Sequence, residues 1–291
     1  MSFYSESVYR PPSEANSWIL RVTRGCSHNA CTFCTMYKDR TFALRPLEEV
    51  YSEINMFKAS GYAPRRIFLA DGNALCMPSK SLFELIHHLK ETFPSCERIS
   101  AYAAPADILA KGETSLLELK SAGLDLVYLG LESGSNQILS QIRKGATAQD
   151  MIEAAQSLRR ANIHLSVTVI SGLGGRDLSY VHAIETAKVL NQMQPQYLGL
   201  LTLILMPPSK MYTQWQSGDF HMLEGAEVLQ ETKLLLEHLT LQSCTFRSNH
   251  ASNYFALKGN LPTEKIRLIA KLDKAIEEGS AALRSEHTRG L

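Results

Sequence analysis

The sequence predicts an α/β fold on a parallel sheet, and three observations carry that prediction. Short runs rich in apolar, β-branched and aromatic residues recur at 18–23, 66–70, 98–102, 126–131, 164–170 and 197–203. Between them lie segments with apolar residues three or four apart, such as Leu82, Leu85, Ile86 and Leu89. Each gap has room for one helix, so strand and helix patterns alternate as repeated βα units.

Taken in order, the run 18–23 is apolar and gives way to Gly25, which suits a sharp strand-to-loop turn. The run 66–70 leads into the turn Asp71-Gly72-Asn73 and then the helix carrying Leu82 to Leu89. After 98–102, Thr114-Ser115 reads as the start of a helix with Leu116, Leu117 and Leu119 on its inner face. The run 126–131 reaches Glu132, with Ser133 or Ser135 as N-cap of a short helix that Arg143-Lys144-Gly145 closes. The run 164–170 ends in Ser171-Gly172-Leu173-Gly174-Gly175, which lacks the spacing of a dinucleotide-binding glycine fingerprint. The run 197–203 stops at Leu205-Met206-Pro207-Pro208, where the prolines forbid further strand. Residues 245–254 are too polar for a helix or a core strand and read as a loop over the strand ends. A last helix spans 263–278 from Thr263, and the tail 286–291 reads as frayed.

Chemistry concentrates in one place. Cys26, Cys31 and Cys34 fall within nine residues, directly after the first strand. Thiolates are the usual ligands of iron–sulfur clusters, and three from one short loop leave the fourth iron of a cube open for a small molecule. With His28 they also match a Cys3His zinc set. Cys76, Cys96 and Cys244 are scattered singly, and no secretory leader stands at the start, so a reducing cytoplasm is expected. The chain is 45% hydrophobic and 20% charged with a formal charge of +1, and no apolar run approaches the roughly 20 residues of a membrane helix. Near-neutral charge also disfavours a large nucleic-acid surface.

The cysteine run resembles the radical S-adenosylmethionine (SAM) superfamily, whose usual signature is Cys-x3-Cys-x2-Cys with an aromatic residue before the third cysteine. Phe33 holds the aromatic place, while the first gap is one residue longer. Residues 71–73 stand where that superfamily has its Gly-Gly-Glu motif. Gly130-Leu131-Glu132-Ser133-Gly134 is similar to the segment of methylthiotransferases, oxygen-independent coproporphyrinogen oxidases and the radical SAM part of the elongator acetyltransferase, where the Glu position binds the SAM ribose.

The resemblance, together with the six βα units, implies a partial (β/α)6 TIM-type barrel over 1–240, with 241–291 a C-terminal extension packed on it in the same domain. It implies a [4Fe-4S] cluster on Cys26, Cys31 and Cys34. It places SAM against Phe33, Asp71, Gly72, Asn73, Glu132, Ser133, Gly172 and Met206, with Arg143, or else Lys144, on its carboxylate. The implied activity is reductive cleavage of SAM to a 5′-deoxyadenosyl radical that abstracts hydrogen from a substrate, fed by an electron donor such as flavodoxin or ferredoxin. Arg247, Asn249, His250, Asn253 and Tyr254 are the candidates to meet that substrate. The alternative from a different class is a non-catalytic heme or metal/cluster chaperone on the same fold, using His250, His28 or Cys244.

Overall fold

The computed structural model describes residues 7–290, so Leu291 of the expected tail lies outside the described residues. A short 3-10 turn, Pro12–Glu14, precedes Trp18–Arg21 (β1), Thr23–Arg24 (β2) and Ala43–Leu44 (β3). Then follow Leu47–Ala59 (α1), Arg66–Ala70 (β4), Ser79–Thr92 (α2), Arg98–Ala103 (β5), Pro105–Ala122 (α3), Leu124–Glu132 (β6), Asn136–Gln141 (α4) and Ala148–Arg160 (α5). The remainder is His164–Ser171 (β7), Gly175–Met193 (α6), Tyr197–Thr202 (β8), Lys210–Ser217 (α7), Gly225–His238 (α8), Cys244–Ser248 (β9), Leu257–Leu261 (β10) and Lys265–Glu278 (α9). Each of the six predicted runs holds a strand of an eight-stranded sheet, with ends shifted by a residue or two and the first run split into β1 and β2.

Two compact units divide the described residues, one of 7–29, 36–129 and 156–165, the other of 30–35, 130–155 and 166–290. In the first, β1, β4, β5 and β6 pair in that order, all parallel. Parallel strands with helices on their faces must be apolar on both sides, which is why Ile67, Phe68, Leu69 and Ala70 of β4 are all fully buried. α2 presents Leu82, Leu85, Ile86 and Leu89 to the core. Phe68, Tyr102 and Tyr128 meet edge to face, with ring centroids 4.9 to 6.0 Å apart.

Glu14 brings a carboxylate into this core. Glu14, wholly buried, accepts hydrogen bonds from Tyr128 Oη (2.6 Å), Ser100 Oγ (3.0 Å), Arg98 Nη2 (2.7 Å) and Ser17 Oγ. Burial pushes its carboxyl up, but those hydrogen bonds and the Arg98 charge outweigh it and leave it below the ordinary value. The interaction anchors the segment before β1 to β5 and β6.

In the second unit β7, β8 and β9 are parallel and β10 closes on β9 antiparallel. α6 packs on α8, and α8 on α9. Expectations about the chain's last third are corrected here. Residues 244–248 are strand β9 rather than loop, because Cys244, Phe246 and Ser248 alternate inward while Thr245 and Arg247 are more exposed. The tail is packed: Arg289 donates to Ser252 O (2.6 Å) and Leu203 O (2.9 Å), and its guanidinium lies 3.9 Å from the Tyr254 ring centroid. α3 is two helices that meet at a non-helical Gly112 (φ 70°), the first starting at Pro105, and Thr114-Ser115 stand at the start of the second, as expected. The last helix starts at Lys265, with Glu264 rather than Thr263 at its N-cap.

Glu14→Gln keeps the shape of the anchor but leaves the part-buried Arg98 without its anion, so unfolding free energy should fall by about 2 kcal/mol at neutral pH, read by urea denaturation. Since the native carboxyl lies below its ordinary value of 4.5, this stabilisation is complete above that value and is lost as pH falls through the lower native one. Wild type and variant should therefore converge in acid; a gap independent of pH would mean that shape, not charge, matters at this position.

Candidate cofactor site

The cysteines lie on the loop between β2 and β3. Gly25 opens it with φ 75°, a left-handed conformation that glycine adopts without strain, and its carbonyl accepts the Gly72 N–H at 3.1 Å. Gly72 follows β4. A Cβ there would stand 2.8 Å from Tyr37 Cε2 and 3.0 Å from Cys26 Cβ, so only glycine lets the end of β4 come this close to the start of the loop. Further along, the Thr32 N–H donates to Ile142 O (2.9 Å) and its carbonyl accepts from Met211 N (3.0 Å), and Phe33 packs against the buried cluster that includes Ile138, Leu139 and Leu173. Cys31 and Cys34 therefore flank an anchored dipeptide. The aromatic position is an apolar peg for the loop.

Cys26, Cys31 and Cys34 are half-buried thiols outside any disulfide. Among the described residues no three His, Cys, Asp or Glu side chains are gathered into a metal-binding group. The loop offers a cluster its donor chemistry, three thiols within nine residues, and that donor set suits iron–sulfur ligation.

The Asp71 side chain faces inward, wholly buried, accepting the Tyr37 hydroxyl (2.9 Å) with Arg21 Nη2 at 3.3 Å, while its own N–H donates to Thr23 Oγ1 (3.1 Å). Burial raises its carboxyl despite Tyr37 and Arg21, and burial beside Asp71 raises the Tyr37 phenol in turn. Asn73 is equally committed: its Nδ2 donates to Ser27 Oγ (2.8 Å) and Asp107 Oδ2 (2.6 Å), tying the cysteine loop to α3. Both side chains hold the turn in shape, which leaves the turn's backbone for a ligand.

In the second unit Glu132 ends β6 with φ 63° and is almost buried. Lys144 Nζ is 2.9 Å from Glu132 Oε1, so the alternative of the two cations is the one beside the acid, while Arg143 (φ 53°) makes the left-handed turn. A Cβ at Gly130 would press on this pair, lying 3.0 Å from Lys144 Nζ. Ser135 is the N-cap of α4, accepting from Ile138 N (3.5 Å). The Ser133 hydroxyl turns to His182 Nδ1, 2.9 Å away. Gly172 follows β7 with φ 82°, and Met206, after β8, is half exposed.

The residues assigned to substrate are mostly engaged elsewhere in the same unit. Asn253, buried, donates to Leu200 O (2.8 Å) and accepts from Thr202 Oγ1 (3.0 Å). His250 Nδ1 lies 2.9 Å from Ser252 Oγ and accepts its N–H, and burial, with Arg284 nearby, pushes the imidazole pKa down. Tyr254 bonds Glu286, and Arg247, on β9, donates to Phe246 O (2.8 Å). Asn249 is exposed. Sequence reasoning passed over Tyr37, His182 and Glu231, none of which lies in a motif.

The family described as the radical SAM superfamily matches residues 20–188, more than half of the chain. An uncharacterized protein of Methanocaldococcus jannaschii is 24% identical over 74% of this chain and 69% of its own length. A putative methylthiotransferase of the same organism is 29% identical over 54% of this chain, which spans only 35% of that protein. Among solved structures, the coproporphyrinogen III oxidase of Escherichia coli, a radical SAM enzyme, superposes with a TM-score of 0.61 at 16% identity, over 76% of this chain and 52% of that one. The likeness bears out the partial-barrel fold. No helix among the described residues is long and apolar enough to cross a membrane.

Gly72→Ala must displace Tyr37 or the loop at Cys26, and should cost about 1–3 kcal/mol of stability as overpacking. Gly199→Ala, whose Cβ would meet nothing nearer than Val167 O at 3.8 Å, is the control and should change it by less than about 0.5 kcal/mol. Equal urea midpoints for the two variants would refute the close approach.

Proposed function

Because the chain belongs to the radical SAM superfamily, we propose that it binds a [4Fe-4S] cluster through Cys26, Cys31 and Cys34 and uses it to cleave SAM reductively, for hydrogen abstraction from a substrate. The observation that carries this reading is the set of three half-buried thiols on the loop after β2, inside the matched region. When bound, the cluster and SAM supply an electron and a 5′-deoxyadenosyl radical, and the protein's part is orientation and exclusion of water.

That part falls to identifiable groups. Glu132 accepts the ribose diol through its carboxylate, with Lys144 holding the acid in place. The backbone of the 71–73 turn offers carbonyls to the amino group of SAM, and Arg143 meets its carboxylate. Small residues at 171–175 and the backbone at Met206 pass along the adenine. A one-electron donor of the flavodoxin or ferredoxin class completes the cycle.

Anaerobic reconstitution should give about four irons per chain, with methionine and 5′-deoxyadenosine formed on adding SAM and dithionite. Alanine at Cys26, Cys31 or Cys34 should abolish iron uptake, whereas alanine at Cys76, Cys96 and Cys244 should leave it intact. Tightly held zinc in place of iron would sink the reading.

Glu132→Gln keeps size and removes the charged acceptor, so SAM should bind more weakly by about 1.5–3 kcal/mol with iron content unchanged. Calorimetric titration decides, and wild-type affinity would return Glu132 to a purely structural place at the end of β6.

A further inference from the structure

Two residues in the second unit share an unusual property: each stands directly after or at the end of a strand with left-handed backbone, Glu132 at φ 63° and Gly172 at φ 82°. For a glutamate this conformation is disfavoured and persists only where its surroundings over-determine it. The surroundings here are a buried polar chain from α6 and α8. Ser133 N donates to Leu131 O (2.8 Å), closing a tight turn around Glu132. Ser133 Oγ accepts from Ser135 N (3.1 Å) and meets His182 Nδ1 (2.9 Å). Gly134 N donates to Thr186 Oγ1 (2.9 Å), one turn along α6 from His182, and a Cβ at Gly134 would collide with the α6 backbone at Thr186.

Across the imidazole, His182 Nε2 is 3.8 Å from Glu231 Oε1, beyond hydrogen-bond length but within reach of an ion pair. The same Oε1 accepts the Gly172 N–H at 2.7 Å, and Oε2 accepts Ser179 Oγ at 2.6 Å. Ser133 is wholly buried, and His182 and Glu231 are 2% and 4% exposed. The order Ser-His-Glu is that of a hydrolytic triad, yet no substrate reaches a hydroxyl that is buried and already accepts a backbone N–H. What the chain of groups does reach is the backbone of the two strand ends.

We infer that Ser133, His182 and Glu231 are positioning residues that preset Glu132 and the Gly172 turn for the nucleoside half of SAM. This rests on the proposed function. Setting both turns before the ligand arrives removes the ordering that binding would otherwise have to supply. Ser133 therefore acts through Glu132, as its hydroxyl faces His182, and His182 and Glu231 serve the site without touching the ligand.

The test compares wild type with Ser133→Ala, His182→Leu and His182→Asn, whose amide can take the place of Nδ1 against the Ser133 hydroxyl. The readouts are calorimetric affinity for 5′-deoxyadenosine on cluster-free protein, affinity for SAM on reconstituted protein, and iron per chain. Ser133→Ala and His182→Leu should weaken both ligands roughly tenfold, as loss of one orienting hydrogen bond predicts, with iron uptake unchanged. His182→Asn should recover most of that loss. Wild-type affinity in Ser133→Ala, or loss of iron and fold in it, overturns the inference while leaving SAM binding standing. Should His182→Leu fail to fold, Ser133→Ala with His182→Asn still decides. A wild type that takes up iron yet binds neither ligand overturns the SAM reading and this inference with it.

Discussion

A carboxylate taken out of water must find donors or a cation where it lands, or the strand that carries it cannot stay. Several acids of this chain are deeply buried, and each one's partners mark where segments are tied together. Glu14 collects three hydroxyls and Arg98, and thereby fixes the chain before β1. Asp71 takes the Tyr37 hydroxyl and Arg21, so the turn after β4 and the loop that starts at Gly25 share one set of contacts. Glu132 takes Lys144, which returns the chain after α4 to the end of β6. Glu231 takes the Gly172 N–H and Ser179, joining α8 to α6 and to the end of β7. Three of the four sit at or bind the carboxyl end of a strand, where parallel α/β folds place their chemistry.

The six strands were legible because a parallel strand covered on both faces has to be continuously apolar, as Arg66–Ala70 is after its first residue. β9 escaped because it follows the other rule. Its residues alternate, Cys244, Phe246 and Ser248 inward with Thr245 and Arg247 more exposed, and a period of two in so short a run reads as mere polarity. That alternation was the available signal. The packed tail had none, since what holds Arg289 is carbonyl oxygens of Leu203 and Ser252, far away in sequence and present at every residue.

Within the candidate site, glycines and cysteines announce themselves, because few other residues can do what a left-handed turn or a thiolate does. Gly25 and Gly172 take left-handed turns, and Gly72 allows the close approach to Tyr37 and Cys26. Direction was not legible. Asp71 and Asn73 look like a ligand-facing pair in sequence, but their side chains point into the protein, since the chain needs their bonds to hold the turn more than it needs them at its surface. His182 and Glu231 sit on amphipathic helices, where a buried polar residue and an exposed one look alike until the helix is packed.

The place of Lys144 beside Glu132 follows from the backbone after α4. α4 ends at Gln141, and Ile142 still bonds back to Ile138. Arg143 then adopts φ 53°, the left-handed step that often terminates a helix, and the N–H of Lys144 reaches Leu139 O at 2.9 Å. This reversal aims the next side chain back toward the helix's own origin, and the origin of α4 is the segment that begins at Glu132. The spacing from acid to cation is therefore set by how long α4 runs before its left-handed stop, so a residue inserted into α4 would part Lys144 from Glu132 even with both side chains retained.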